Sequence, residues 1–112
     1  MRIAIPLDDG RLSAHFGHCR EFALIDIDPV GEVILAKEMI TSPPHQPGLL
    51  PAWLAEQRVS LVIAGGMGQR AQALFTRNGI KVVTGATADL PEKLVHDYLA
   101  GTLEVGPNAC DH

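Results

Sequence analysis

The sequence predicts a single mixed α/β domain, and three observations carry that prediction. Short runs of alternating apolar residues fill the first forty positions and are joined by turn chemistry. A continuous apolar run, Ser60–Ala64, follows them, as expected of a strand buried on both faces. Two segments with helical spacing come after it, separated by a further short apolar run. At 112 residues the chain suits one domain, with roughly 65% of its unfolded surface buried.

Taken in order, Arg2–Leu7 is the first strand, with Ile3, Ile5 and Leu7 alternating with Ala4 and Pro6. Glu21–Asp28 is the second, rich in β-compatible residues. Asp28-Pro29-Val30-Gly31 reads as a hairpin turn, with Glu32–Ile40 returning as the third strand of an antiparallel meander. Thr41–Pro51 carries four prolines and His45, and reads as an ordered surface loop. Leu49–Gln57 has helical spacing through Leu49, Leu50, Trp53 and Leu54.

The fourth strand, Ser60–Ala64, leads into Gly65-Gly66-Met67-Gly68. A helix then runs to about Arg77, burying Ala71, Leu74 and Phe75, and stops at Asn78-Gly79. Ile80–Thr84 is the fifth strand. The last helix is expected to start at Asp89 as N-cap, with Glu92 completing a capping box. Its buried stripe is Leu90, Leu94, Val95, Tyr98 and Leu99, and Gly101 ends it. Residues 102–112 lack periodicity.

The order βββ-α-β-α-β-α places the fourth and fifth strands parallel to the first, through right-handed crossovers. The loops after the first, third, fourth and fifth strands then leave from one sheet edge. They carry His15, His18 and Cys19; His45; Gly65–Gly68; and Thr84-Gly85. Open α/β sheets bind ligands at such an edge.

The ten residues Ser13–Phe22 hold two imidazoles and a thiol, His15, His18 and Cys19. The other cysteine lies in Cys110-Asp111-His112, so each of the two cysteines stands near a histidine, a pairing suited to Fe, Zn or Cu(I). His15 bonded within its loop, Phe16 in the core and Cys19 as a small buried apolar residue is the competing structural reading. The glycine turn offers amides and a helix dipole to an anion, with Met67 as a soft apolar wall. Gly66–Ala71 also fits the loose dinucleotide pattern G-x-G-x-x-A. It follows the fourth strand, however, and no acidic residue for a ribose ends the next one. His96 falls on the polar face of the last helix.

A net charge of −4 without a basic stripe argues against nucleic acid. No apolar stretch approaches the ~20 residues of a membrane span, and Pro6, Asp8 and Asp9 interrupt the first apolar run too early for a signal peptide. The expectation is a cytoplasmic protein with reduced thiols, a monomer or weak homodimer. No paired acids or Ser/His/Asp arrangement suggests hydrolysis, so an enzyme is not expected.

The opening Arg2-Ile3-Ala4-Ile5-Pro6, the turn His15-Phe16-Gly17 leading into Glu21-Phe22, and Gly65-Gly66-Met67-Gly68 carry a resemblance. Over roughly residues 1–105 the chain resembles the dinitrogenase iron-molybdenum cofactor biosynthesis family, including orange protein-like binders of metal–sulfur clusters. The resemblance implies a ribonuclease H-like five-stranded mixed sheet with about three helices, and the sequence adds a Cys/His-containing tail at 106–112. It implies carriage or storage of an anionic Fe–S, iron-molybdenum precursor or Mo/Cu–sulfide cluster, exchanged with donor or acceptor proteins. His15, Phe16 and Gly17 match its pattern, whereas Cys19, Cys110 and His112 lie outside it. Expected metal ligands are His15, His18, Cys19, His45, Cys110 and His112. Expected cluster contacts are Phe16, Gly17, Gly65, Gly66, Met67, Gly68, Thr84 and Gly85. The alternative is a regulatory or interaction module taking a nucleotide or a partner's peptide in the same cleft.

Overall fold

Alternation along the strands divides the core into two layers. In β1 (Arg2–Asp8) Ile3, Ile5 and Leu7 face one side and Ala4 the other. β3 (Glu21–Asp28) sends Ala23, Ile25 and Ile27 to the first side and Phe22 and Leu24 to the second. β5 (Leu61–Ile63) splits Leu61 and Ile63 from Val62 in the same way. α3 (Pro91–Ala100) covers the first side with Leu94 and Val95. α1 (Leu49–Glu56) and α2 (Gln69–Arg77) cover the second with Leu50, Leu54 and Phe75. The computed structural model describes residues 1–14, 16, 19–28, 30, 32–43 and 48–106.

With β4 (Val33–Thr41) and β6 (Lys81–Val83) the strand order is β4-β3-β1-β5-β6. β1, β3 and β4 pair antiparallel, while β5 is parallel to β1 and β6 to β5. The expected meander and the parallel relation of the later strands are therefore present. Pro29 and Gly31 of the expected hairpin turn lie outside the described residues, but Asp28 pairs with Val33 across it. The β3–β4 register shifts at Asp26/Ile27, and the extra residue, Leu35, is 65% exposed.

Four expectations need correction. The sheet has six strands rather than five, because β2 (Arg11–Leu12) folds back on Leu7–Asp8. Asp9 and Gly10, at φ 54° and 80°, form the two-residue turn between them, the left-handed pair that Asp-Gly supplies in tight hairpins. The capping box at α3 does not form. The helix begins at Pro91 with Leu90 as N-cap and no side-chain cap, because proline is pre-set for the first helical position. Asp89 instead accepts the Leu90 amide on its carboxylate and the Leu12 amide on its carbonyl, and Glu92 pairs with Lys37 of β4. Leu90 is consequently exposed rather than part of the buried stripe. In α2 Phe75 is fully buried, but Ala71 and Leu74 only in part. No helix among the described residues is long and apolar enough to cross a membrane.

Arg2 ties the start of the sheet together. Its Nε and Nη2 donate to the two Asp26 carboxylate oxygens at 2.9 and 3.2 Å, and Nη1 to the Gln57 carbonyl at 2.9 Å beyond α1. The Arg2 hydrogen bonds hold the Asp26 carboxyl below its ordinary value of 3.8. A depressed carboxylate stabilises the fold above that ordinary value and ceases to do so as pH falls through the native one. Asp26→Asn should therefore lower the urea midpoint at neutral pH, with the gap to the parent closing in acid. A gap of constant size across that range would show that the charge plays no part.

Candidate functional site

The loop after β2 is fastened at both ends to β1. The Ser13 amide donates to the Pro6 carbonyl at 2.9 Å and the Arg20 amide to the Leu7 carbonyl at 2.9 Å. Between these points Phe16 turns into the core and is 6% exposed. Its ring lies 5.3 Å from Phe75, edge to face, and 5.8 Å from Phe22, which in turn lies 5.8 Å from Trp53. One buried aromatic thus couples the loop to β3, α1 and α2.

Backbone hydrogen bonds join this loop to the ends of the parallel strands. The Gly66 amide donates to Ala14 at 2.8 Å, and the Phe16 amide donates to Gly66 at 2.9 Å. Past the ends of β5 and β6 the ladder continues, with Gly85 donating to Gly65 at 2.7 Å and Ala86 to Ala64 at 3.1 Å. On the other flank the Ser42 amide, just after β4, donates to Arg20 at 3.0 Å. The loops after β1, β4, β5 and β6 therefore meet at one edge, as the strand order requires.

A cleft of about 180 Å³ opens there, lined by Leu12, Ser13, Ala14, Gly65, Gly66, Gly85, Ala86 and Ala88. Of the sequence-expected contacts, Gly65, Gly66 and Gly85 line it. Phe16 and Met67 are buried in the core on the α1/α2 side, so Met67 is not a wall of this cleft. Thr84 is half-buried beside it, and Gly68 is the N-cap of α2. The expectation that Gly66 and Gly85 present amides to an anion meets a physical obstacle: both amides are already bonded to backbone carbonyls. Leu12, Ser13, Ala14, Ala86 and Ala88 were not expected. For Ser13, Ala14, Ala86 and Ala88 the sequence signal is only small size.

Cys19 is half-buried against the Phe16–Phe22 side of the core, and its thiol donates to the Ser42 hydroxyl at 3.9 Å. Burial pushes the thiol above its ordinary value, with the Ser42 contact opposing in part. His15, Gly17, His18, His45, Cys110 and His112 lie outside the described residues. Among the described residues no group of three His, Cys, Asp or Glu side chains could hold a metal ion.

Two glycines are fixed by contact rather than by chance. A Cβ on Gly65 would meet the Ser13 and Ala14 carbonyl oxygens at 3.0 and 3.2 Å. Gly85 has φ +83°, and a Cβ there would sit 2.0 Å from the Gly106 carbonyl oxygen. The third, Gly68, has nothing within 4 Å of that position and an ordinary φ of −64°.

These features define a class: a small mixed α/β domain whose strand-end loops are laced by their backbones around an open, small-residue cleft. The chain belongs to the dinitrogenase iron-molybdenum cofactor family, whose model matches residues 1–101. An uncharacterized protein of Methanocaldococcus jannaschii is 36% identical to it over 109 residues, 93% of this chain and 90% of that one. The crystal structure of PH0822 superposes with a TM-score of 0.86 at 32% identity, over 94% of each chain. The apo form of the orange protein from Desulfovibrio gigas shares the fold at a TM-score of 0.73 and 22% identity, over 96% of this chain and 93% of that one.

Alanine at the three glycines ranks the importance of these contacts. Gly85→Ala should cost the most, since the left-handed backbone alone disfavours a side chain by about 1–2 kcal/mol and the clash adds to it. Gly65→Ala should be intermediate, and Gly68→Ala near neutral. Thermal unfolding of the three variants checks the order, and equal losses at Gly65 and Gly68 would contradict it.

Proposed function

We propose that the protein binds and carries an anionic metal–sulfur cluster at this cleft, without chemical turnover. The cargo classes are Fe–S, an iron-molybdenum precursor, or Mo/Cu–sulfide. The observation that carries the reading is the two-way bonding of Ala14 and Phe16 to Gly66. His15 stands between those two residues in sequence, and Ala14 lines the cleft. A ligand-bearing loop is thereby fastened to a wall built of backbone and methyl groups, which lets a compact cargo approach closely.

His15, with His18 of the same segment and His45 of Thr41–Pro51, supplies the imidazole ligands in this reading. Cys19 is the weaker thiol candidate, because its sulfur faces Ser42 and the core. Gly65, Gly66 and Gly85 contribute room rather than the Gly66 and Gly85 amides. No acidic or basic side chain is among the eight lining residues, which suits holding a cluster better than acid–base chemistry. Family membership supports a cofactor-related role. We read the strand order as the ribonuclease H-like arrangement, and the protein as a cytoplasmic monomer or weak dimer that exchanges cargo with donor and acceptor proteins.

Reconstitution under anaerobic conditions tests the reading. Protein offered iron and sulfide, or tetrathiomolybdate with Cu(I), should gain visible absorption and retain stoichiometric metal through gel filtration. His15→Ala should cut retention about tenfold, the loss of ~1.4 kcal/mol. Protein that stays colourless with every cargo, yet is stabilised by nucleotides or a peptide in thermal shift, would replace the carrier with the interaction module.

A further inference from the structure

After α3 the chain turns back onto the cleft. Gly101 makes the turn with φ 74°, and the Thr102 amide donates to the Asp97 carbonyl at 2.8 Å. Leu103 packs, half-buried, against the core on the α3 side. Val105 then bridges antiparallel to Ala86, and the Gly106 amide donates to the Gly85 carbonyl at 2.7 Å. Residues 102–106 thus form a strap against Gly85 and Ala86, two walls of the cleft, without lining it themselves. The fit is close, since a Cβ on Gly85 would sit 2.0 Å from the Gly106 carbonyl oxygen.

The walls differ in how firmly they are held. Ser13 and Ala14 are tied to Pro6 and Gly66, with Phe16 sunk in the core behind them. Gly65 and Gly66 continue directly from the buried strand β5. Residues 85–88 instead run from the end of β6 to Asp89, whose carbonyl accepts the Leu12 amide. Thr87 and Ala88 are exposed, and Gly85 and Ala86 are gripped between the β5 end and the strap. The strap's own hold is light: Val105 is 55% exposed, and Glu104 and Gly106 are exposed too. Segments with so little buried apolar surface open well before the core does. The cleft, at about 180 Å³, is also smaller than the roughly 300–1,000 Å³ usual for ligand sites. Cargo therefore needs added room, and residues 85–88 are the wall best placed to yield it.

We propose that the strap gates the cleft. Seated, it pins Gly85 and Ala86 toward the end of β5 and keeps the cleft narrow. Lifted from Gly85, it lets residues 85–88 swing outward so that cargo can pass. The gate rests on the carrier reading and adds its regulation: the strap sets the rate of cargo exchange and leaves the stoichiometry alone.

Amide hydrogen exchange in the full chain reads this wall without any cargo. The Gly85 and Ala86 amides should exchange faster than those of Ile5 and Ile25 in the inner strands. Their exchange should also depend little on urea, the mark of a local opening. Gly106→Pro removes the donor to Gly85 and should speed both amides about fivefold. Leu103→Ala, which weakens the strap's hold on the α3 side, should act in the same direction. Gly106→Ala keeps the donor, meets the Gly85 oxygen only at 3.8 Å, and should match the parent. Stopped-flow uptake of tetrathiomolybdate with Cu(I) should quicken by a similar factor in Gly106→Pro, at unchanged stoichiometry. Wall amides that track Ile5 and Ile25 in rate and urea dependence overturn the gate, as do wall amides unmoved by Gly106→Pro. A loosened wall with uptake at the parental rate also overturns it, and leaves the carrier reading standing. A loosened wall in a protein that takes up no cargo does the reverse, upholding the strap's control of the wall and removing the carrier.

Discussion

Everything at the candidate site depends on one run of backbone hydrogen bonds across the strand ends. Ala14 and Phe16 bond to Gly66, Gly65 to Gly85, and Gly85 to Gly106. Each bond contributes only about 0.5–1.5 kcal/mol net. Their importance lies in position, because they extend the ladder of β1, β5 and β6 into what would otherwise be separate loops. The run requires close approach of backbones, and a methyl group would collide with a carbonyl oxygen at Gly85 and crowd two of them at Gly65. The cleft is what remains open beside it.

The core supports this lacing from below. Phe16 belongs to the loop by sequence and to the core by packing, in contact with both Phe22 and Phe75. The loop therefore inherits stability from α2 and β3. The lining is correspondingly bland, built from Leu, Ser, Ala and Gly. In the carrier reading, a wall of that kind would admit cargo by shape rather than by charge.

Much of the fold could be read from sequence, because strand alternation and helix spacing follow directly from which residues must be buried. Glu21–Asp28 has the bounds its pattern predicts, α1 begins at Leu49 and α2 ends at Arg77 as the spacing requires. β2 is signalled only by the turn pair Asp9-Gly10, since a two-residue strand has no periodicity of its own. The capping box failed because Asp-x-x-Glu competes with Pro91, and proline's fixed φ prevailed. At the site, topology brought the right loops together, and Gly65, Gly66 and Gly85 were recognisable from their strand-end positions. Ala14, Ala86 and Ala88 were not, because an alanine lining a cleft looks like any other alanine. The use of the Gly66 and Gly85 amides was equally hidden, since donors are allotted by tertiary pairing. The return of Val105 to Ala86 is a long-range contact with no local signature.

The central claim is that cargo sits against the laced strand ends. Amide chemical-shift mapping during anaerobic addition of tetrathiomolybdate and Cu(I) tests it most directly. The account predicts perturbations concentrated at Ser13, Ala14, Gly65, Gly66, Gly85 and Ala86, with Lys93, His96 and Asp97 on the outer part of α3 unmoved. Perturbations centred on α3 or on the β4 edge, with the glycine turns silent, would contradict it.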